Sequence, residues 1–358
     1  VKGEFFMAET DQLTPSVPTQ RAPLDLTLGQ TLRKPNWGAL LEKPAHWDVA
    51  TVVTANMLDR VHDRLRGSVD DVEVAMTDLL SVLWSVKSAS EPEVWEKVGA
   101  QCLAHPLAQR IHEDPFASRC FKKPRGYAGD AVLIDYLYTR DCHLGEADEV
   151  SPLGERIFEF TRDIPAGHAV RKRRDMMAKV IDEVCAHVER PHILSVACGH
   201  LREAKLSQAV LGGRAGRFVA LDQDDLSLQL VEREVSGYGV TPVCNSIKAL
   251  FRGPVAEEKF DLIYSTGLYD YLDDRIATKL TQRMFDMLNP NGRLVLANFI
   301  PDIVCSAYME ALLDWKLIYR SAEQMTALCS TIPSMEMESR KTFVEENENI
   351  VFLDITKR

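Results

Sequence analysis

The sequence predicts an α/β protein whose C-terminal half is a mostly parallel sheet covered on both faces and whose N-terminal half is helical. Three observations carry this expectation. Between residues 47 and 188 apolar positions recur at helical spacing and no convincing strand is present. After Pro191 short apolar runs of strand length alternate with helical stretches, as in parallel sheets built from β-α-β units. At the C-terminus, residues 334–342 and 349–355 read as two strands joined by an acidic, Asn-bearing turn at 345–348, an antiparallel hairpin.

At 358 residues the chain is long enough for two folded units or one elaborated unit. Val1 to Phe6 precede Met7 and read as an added tail, so the native start is expected at Met7. Residues 1–46 read as a surface arm, because Pro15, Pro18, Pro23, Pro35 and Pro44 interrupt any period. Residues 47–190 form the helical domain. Val53, Met57, Val61 and Leu65 make a first stripe, and Val72, Met76, Leu79, Leu80 and Leu83 a second. Further helices are predicted at 91–104, 128–138, 152–162 and 166–188, with 122–126 as a loop. Residues 191–358 form the sheet domain, with strands at 192–197, 217–221, 241–244, 260–264 and 293–298. Helices are expected at 201–211, 226–235, 274–288 and 303–313, and Asn289-Pro290-Asn291-Gly292 signals a turn before the fifth strand.

Composition narrows the function. Hydrophobic residues make up 46% and charged residues 27%, so the chain can bury a sizeable core. A formal net charge of -11 disfavours duplex nucleic acid and anionic membrane surfaces, both of which recruit Lys and Arg. The eight cysteines show no CxxC and no zinc-type Cys/His spacing, so a reducing, cytoplasmic setting is expected and no metal site is predicted. No apolar run approaches the roughly 18 residues of a membrane span.

The candidate site lies at the carboxyl ends of the strands. The first ends in Ser195-Val196-Ala197-Cys198-Gly199-His200 and is expected to run into a helix, with small Ala197 and Gly199 letting a ligand approach the backbone. Asp222, beside Gln223 at the tip of the second strand, suits both hydroxyls of a ribose; capping the next helix is the alternative, for which Asp224 and Asp225 are better placed. Asn245, Ser246 and Ile247 at the third strand's end could read and cover an adenine, or form a plain turn. Ser265, Gly267 and Leu268, then Tyr269, Asp270 and Tyr271, follow the fourth strand and could supply carbonyls and aromatic walls.

These features resemble a class I S-adenosylmethionine (SAM)-dependent methyltransferase over residues 191–358. The resemblance implies a Rossmann-like seven-stranded sheet in the order 3-2-1-4-5-7-6 and SAM as cofactor. The usual acid-x-Gly-x-Gly-x-Gly loop is eroded: Ser195 replaces the acid, Ala197 the first glycine and His200-Leu201 the loop's end. Lys123-Pro124-Arg125-Gly126-Tyr127-Ala128-Gly129-Asp130, with Gly267 to Leu272, Asp314-Trp315 and Tyr319-Arg320, is similar to a bacterial subfamily that makes 3-hydroxypalmitate methyl esters.

Methyl transfer from a sulfonium is an in-line displacement that needs alignment and exclusion of water rather than a nucleophilic side chain. Tyr127, Tyr269 and Phe299 are the aromatics expected near the sulfonium or the acceptor, and Asn298 could orient an amine or a carboxyl. Arg125, Arg171 or Arg202 could fork the methionine carboxylate, with Arg171 preferred within the otherwise solvated run Arg171 to Arg174. Asp270 and Arg125 are placed at the substrate, and His200 is expected to pack or hydrogen-bond rather than act as a base. The expected reaction is methylation of a small acyl-type acceptor at a carboxylate or hydroxyl, the helical half closing over the cofactor, and a homodimer is an option. The alternatives are cyclisation of SAM to azetidine-2-carboxylate and methylthioadenosine, and a noncatalytic SAM sensor.

Overall fold

The computed structural model describes residues 47–67, 71–139, 141–144 and 149–358; the expected arm at 1–46 lies outside them. The helical half comprises α1 (Trp47–Arg66), α2 (Val72–Ala89), α3 (Pro92–Ala104), α4 (Pro106–Ile111), α5 (Pro115–Lys122), α6 (Ala131–Tyr138), α7 (Pro152–Asp163) and α8 (Pro165–His187). Helices α4 and α5 were not expected from the sequence. Each has Pro at its first turn and a side-chain cap, His105 accepting from Leu107 N–H and Asp114 from Phe116 N–H, so their start signals are present but too short for an apolar period.

The sheet has seven strands in the order β3-β2-β1-β4-β5-β7-β6, as the resemblance implied. They are β1 (His192–Val196), β2 (Arg217–Asp222), β3 (Val240–Cys244), β4 (Phe260–Ser265), β5 (Leu288–Phe299), β6 (Met337–Val344) and β7 (Ile350–Lys357). The first five pair in parallel, and β7 enters antiparallel between β5 and β6. The Asn289 to Gly292 turn signal appears as a register break, with Phe260 opposite Leu288 but Leu262 opposite Arg293. At the hairpin tip the Glu345 carboxylate accepts from the N–H groups of Asn347 and Asn349, each at 2.6 Å. Arg293 forks Asp354 across β5 and β7 at 3.0 and 2.7 Å.

Side-chain alternation along the strands sorts the core. Ile193, Phe218, Leu262, Val295 and Phe352 face the helical half, in one cluster with Leu79, Val98, Ile157, Val170 and Ile181. Leu194, Val219, Ile263, Leu294 and Leu353 face the other side. There they meet α11 (Asp274–Asp286) and α13 (Ala322–Ala327), which α9 (Gln208–Leu211) and α10 (Asp225–Val235) precede in the chain. Helix α12 (Cys305–Leu312), which follows β5, is almost wholly buried and packs between α2 and α3. Its Glu310 receives bonds from Lys87 at 2.7 Å and Trp95 at 2.8 Å. The two halves therefore share one core along a sheet face. No helix among the described residues is long and apolar enough to cross a membrane.

One expectation about the fold is corrected here. Instead of a helix over 201–211, the chain makes turns, and only α9 is helical. Ala197, Gly199 and Leu201 take left-handed conformations, with φ of 54°, 54° and 49°. The following side chains point inward to fixed partners: His200 and Arg202 to Asp135, and Glu203 to Tyr264. Those tertiary bonds hold the segment out of a helix, and α9 starts only where Asp182 accepts from Ser207 Oγ and Ala209 N–H.

Asp114 gives a testable pH dependence. Burial raises its carboxyl from 3.8 to about 7, against the lowering effect of the Phe116 and Ala117 N–H groups. Because the folded value lies above the unfolded one, this group's contribution is fully present at low pH and lost as pH rises through about 7. Asp114→Asn keeps a cap acceptor without the charge. Urea unfolding at pH 5 and pH 8 should show the parent losing about 2–3 kcal/mol more than the variant over that interval. Equal losses would place the Asp114 proton affinity near that of an ordinary carboxyl.

Candidate active site

The site is built where β1, β2 and β4 end and residues 123–130 of the helical half lie over them. Asp222 closes β2 and is 8% exposed. One carboxylate oxygen accepts from Gly199 N–H at 2.7 Å and the other from Asp224 N–H at 2.9 Å. An ionised carboxylate has about four acceptor positions, so each oxygen keeps one for a ligand. Asp224, not Asp222, caps α10, accepting from Leu226 N–H. The β1 loop is drawn close by Cys198 N–H to Leu221 O at 3.2 Å. Ser265 Oγ ties β4 to β1 by donating to Val196 O at 2.9 Å. Contrary to the sequence expectation, β1 does not run directly into a helix, and the residues after this loop make turns as far as Ser207.

The overlying loop is fixed at both ends and in the middle. Lys123 pairs with Asp314, Arg125 with Asp224, and Arg119 donates to Asp130 at 2.9 Å. Gly129 lies beneath Tyr271 and Trp315, where a Cβ would come within 2.3 Å of the Tyr271 hydroxyl. Gly199 is the other required glycine, with a positive φ and a Cβ position only 3.2 Å from Ala131. Tyr127 is half-buried, and burial together with Asp222, Asp224 and Asp130 pushes its phenol up. It is therefore a neutral aromatic group facing the acids, and not a base.

The other expected residues fall into two groups. Exposed Gln223 and Asn245, and half-buried Ser246, Ile247 and Leu268, lie at the strand ends around Asp222, with Asn245 N–H bonded to Asp222 O at 2.8 Å. Exposed Gly267 and half-buried Ala197 belong with them. Tyr269 and Asn298, proposed from the sequence as catalytic, are instead held in the core. Tyr269 is fully buried, 2.9 Å from Thr281 Oγ1. The Asn298 amide donates to Phe299 O and Ile318 O and accepts from Arg320 Nη1 at 2.9 Å, so its bonding capacity is engaged within the protein. Asp270 is buried, accepts from Phe299 N–H at 2.8 Å, and is raised by burial to about 6 despite nearby Arg173 and Arg320. Phe299 lines an apolar cavity with Leu137, Val170, Tyr308, Leu313 and Trp315.

None of the three arginines proposed for a ligand carboxylate is unengaged. Arg125 holds Asp224. Arg171 donates to Leu137 O and Arg162 O and pairs with Asp163. Arg202 forks Asp135 at 2.8 and 2.5 Å and also bonds Glu234. Desolvation acts to raise Asp135, but Arg202 and His200 outweigh it and hold the carboxyl below its usual range. His200 is thus an anchor to α6, 2.8 Å from Asp135. Burial, with Asp222 and Glu203 nearby, pushes the Cys198 thiol well above its usual range, so it is no nucleophile.

The residue that sequence reasoning missed is Arg173, only 6% exposed although grouped with a solvated helix face. Its signal was present: Ala166, Ala169, Val170, Arg173, Met177, Val180, Ile181 and Val184 form the buried stripe of α8. An arginine at that spacing belongs to the inward face. It lies next to Gly267, whose Cβ position is 3.9 Å from Arg173 Nη2.

The strand order and the acid at the tip of β2 define the class of fold, the Rossmann-like class I methyltransferase sheet with a helical N-terminal region. Residues 193–292 match a family model described as a methyltransferase domain. No curated protein matches the chain. Among solved structures, a possible exported protein from Bordetella parapertussis is similar at 18% identity and a TM-score of 0.54, covering 86% of this chain and 96% of its own. The N-methyltransferase NodS from Bradyrhizobium japonicum matches at 14% identity and a TM-score of 0.38, over 52% of this chain and 97% of its own. Magnesium protoporphyrin IX methyltransferase from Synechocystis matches at 10% identity and 0.43, over 68% and 100%.

Proposed function

We propose that the carboxyl edge of β1, β2 and β4 binds SAM and that the protein transfers its methyl group to a small-molecule acceptor. The observation that carries this reading is Asp222, whose two remaining acceptor positions suit the two hydroxyls of a ribose. The methyltransferase-domain match over 193–292 supports it. SAM, when bound, supplies an already activated methyl group.

The chain's own residues then have limited tasks. Asp222 holds the ribose, and the tight turn through Gly199 allows close approach of the backbone. Tyr127 contributes an aromatic wall and, with the anchored 123–130 loop, excludes water. With Tyr127 neutral, Cys198 protonated and His200 bound to Asp135, these groups align and desolvate the reactants and do not activate them covalently. The acyl-type class of acceptor rests on the resemblance carried by the 123–130 motif.

The test is incubation of purified protein with SAM alone and with a panel of carboxylate and hydroxyl acceptors. The expected result is S-adenosylhomocysteine formed only when an acceptor is present. Methylthioadenosine formed from SAM alone would replace methyl transfer with cyclisation, and tight binding without turnover across a broad panel would favour a sensor.

A further inference from the structure

We infer that Arg173 is the carboxylate receptor of this site, left without a partner among the described residues so that a ligand carboxylate can complete it. The inference rests on the SAM reading above. Arg173 is 6% exposed, yet no hydrogen bond or ion pair to any described residue satisfies its guanidinium. That is unusual for a buried cation, which is normally paired. The other buried arginines follow the rule: Arg162 pairs with Asp163, and Arg320 with Asp274 and two carbonyls.

Its position shows where such a carboxylate would meet it. The guanidinium lies beside exposed Gly267 after β4, and its charge opposes the burial that raises the carboxyls of Glu203 in the β1 loop and Asp270 after β4. Each of those acids already has its own hydrogen-bond partner: Tyr264 donates to Glu203 at 2.7 Å, and Phe299 N–H to Asp270 at 2.8 Å. Arg173 thus stands at the β4 loop, with acids of the β1 and β4 loops within reach of its charge. A planar fork there is matched by a carboxylate, bound through two parallel N–H bonds. Such a carboxylate has two possible sources, the aminoacyl end of the cofactor or the acceptor.

Calorimetry on the full chain distinguishes them, using Arg173→Met and Arg173→Lys with thermal melts to confirm folding. The probes are S-adenosylhomocysteine, methylthioadenosine (which lacks the carboxylate), and hexanoate against hexanamide added to the S-adenosylhomocysteine complex. If the cofactor supplies the carboxylate, Arg173→Met should weaken S-adenosylhomocysteine by about tenfold or more, since a charge-assisted bond contributes roughly that much or more, and leave methylthioadenosine unchanged. Arg173→Lys should fall between, keeping the charge but losing the fork. If the acceptor supplies it, S-adenosylhomocysteine is unaffected and hexanoate binding is lost in Arg173→Met. Equal weakening of S-adenosylhomocysteine and methylthioadenosine, or no change with either S-adenosylhomocysteine or hexanoate, overturns the inference. Failure of the parent to bind either adenosyl compound overturns the SAM reading and this inference with it.

Discussion

Asp222→Ala is expected to weaken SAM binding by at least about 100-fold, because two hydrogen bonds to a charged acceptor contribute roughly 1.5–3 kcal/mol each. The same carboxylate also receives Gly199 N–H and Asp224 N–H, so alanine leaves two donors of the loop without their partner. A folding control is therefore needed. Asp222→Asn retains one acceptor oxygen and the volume, but its amide nitrogen must face a donor; its affinity should lie between parent and alanine variant. Calorimetry with S-adenosylhomocysteine reads both, alongside circular dichroism melts. Parent-like affinity in a folded Asp222→Ala protein would remove the ribose assignment and the functional reading built on it.

Arg320→Met is expected to produce the largest loss of stability. Arg320 is 1% exposed and donates to Tyr269 O at 2.7 Å, Asn298 Oδ1 at 2.9 Å, Leu272 O at 2.5 Å and Asp274 at 2.8 Å. Methionine fills part of the volume but strands three buried acceptors, each costing about 1–3 kcal/mol, so a loss of about 3 kcal/mol or more follows. For a chain of 358 residues, with an unfolding entropy of about 2.1 cal/mol/K per residue, that is a fall in Tm of roughly 4 °C or more. The exposed Asp274 can return to water and adds little to the loss. A decrease below about 1 kcal/mol in urea unfolding would show that the β5 end is held by packing alone. The same bonds explain why Tyr269 and Asn298 serve the scaffold: both are tied, through backbone or amide, to this one guanidinium.

The contrast between Asp222 and Asn298 shows how far the site could be read from sequence. Both end strands of a parallel sheet, where ligands collect. The acid at 222 has a neighbour, Asp224, that takes over capping and leaves it available. The amide at 298 meets Arg320, 22 positions further on, and nothing local to residue 298 announces that partner. Arg171 and Arg173 make the same point within one helix. They differ in burial because α8 packs one face on the core, and only the apolar period of 166–184 identifies which.

The sequence by itself determined the strands, most helices, the helical and sheet halves, and the acid at the tip of β2. These depend on periodicity and on short-range signals that act over a few residues. The tertiary structure alone decided which polar groups were spent on each other and which were left for a ligand, as it also kept 201–206 from forming a helix. Pairing between distant segments, such as Asp135 with Arg202 or Arg320 with Asn298, has no local pattern, since a buried polar group is satisfied by whatever the fold brings to it.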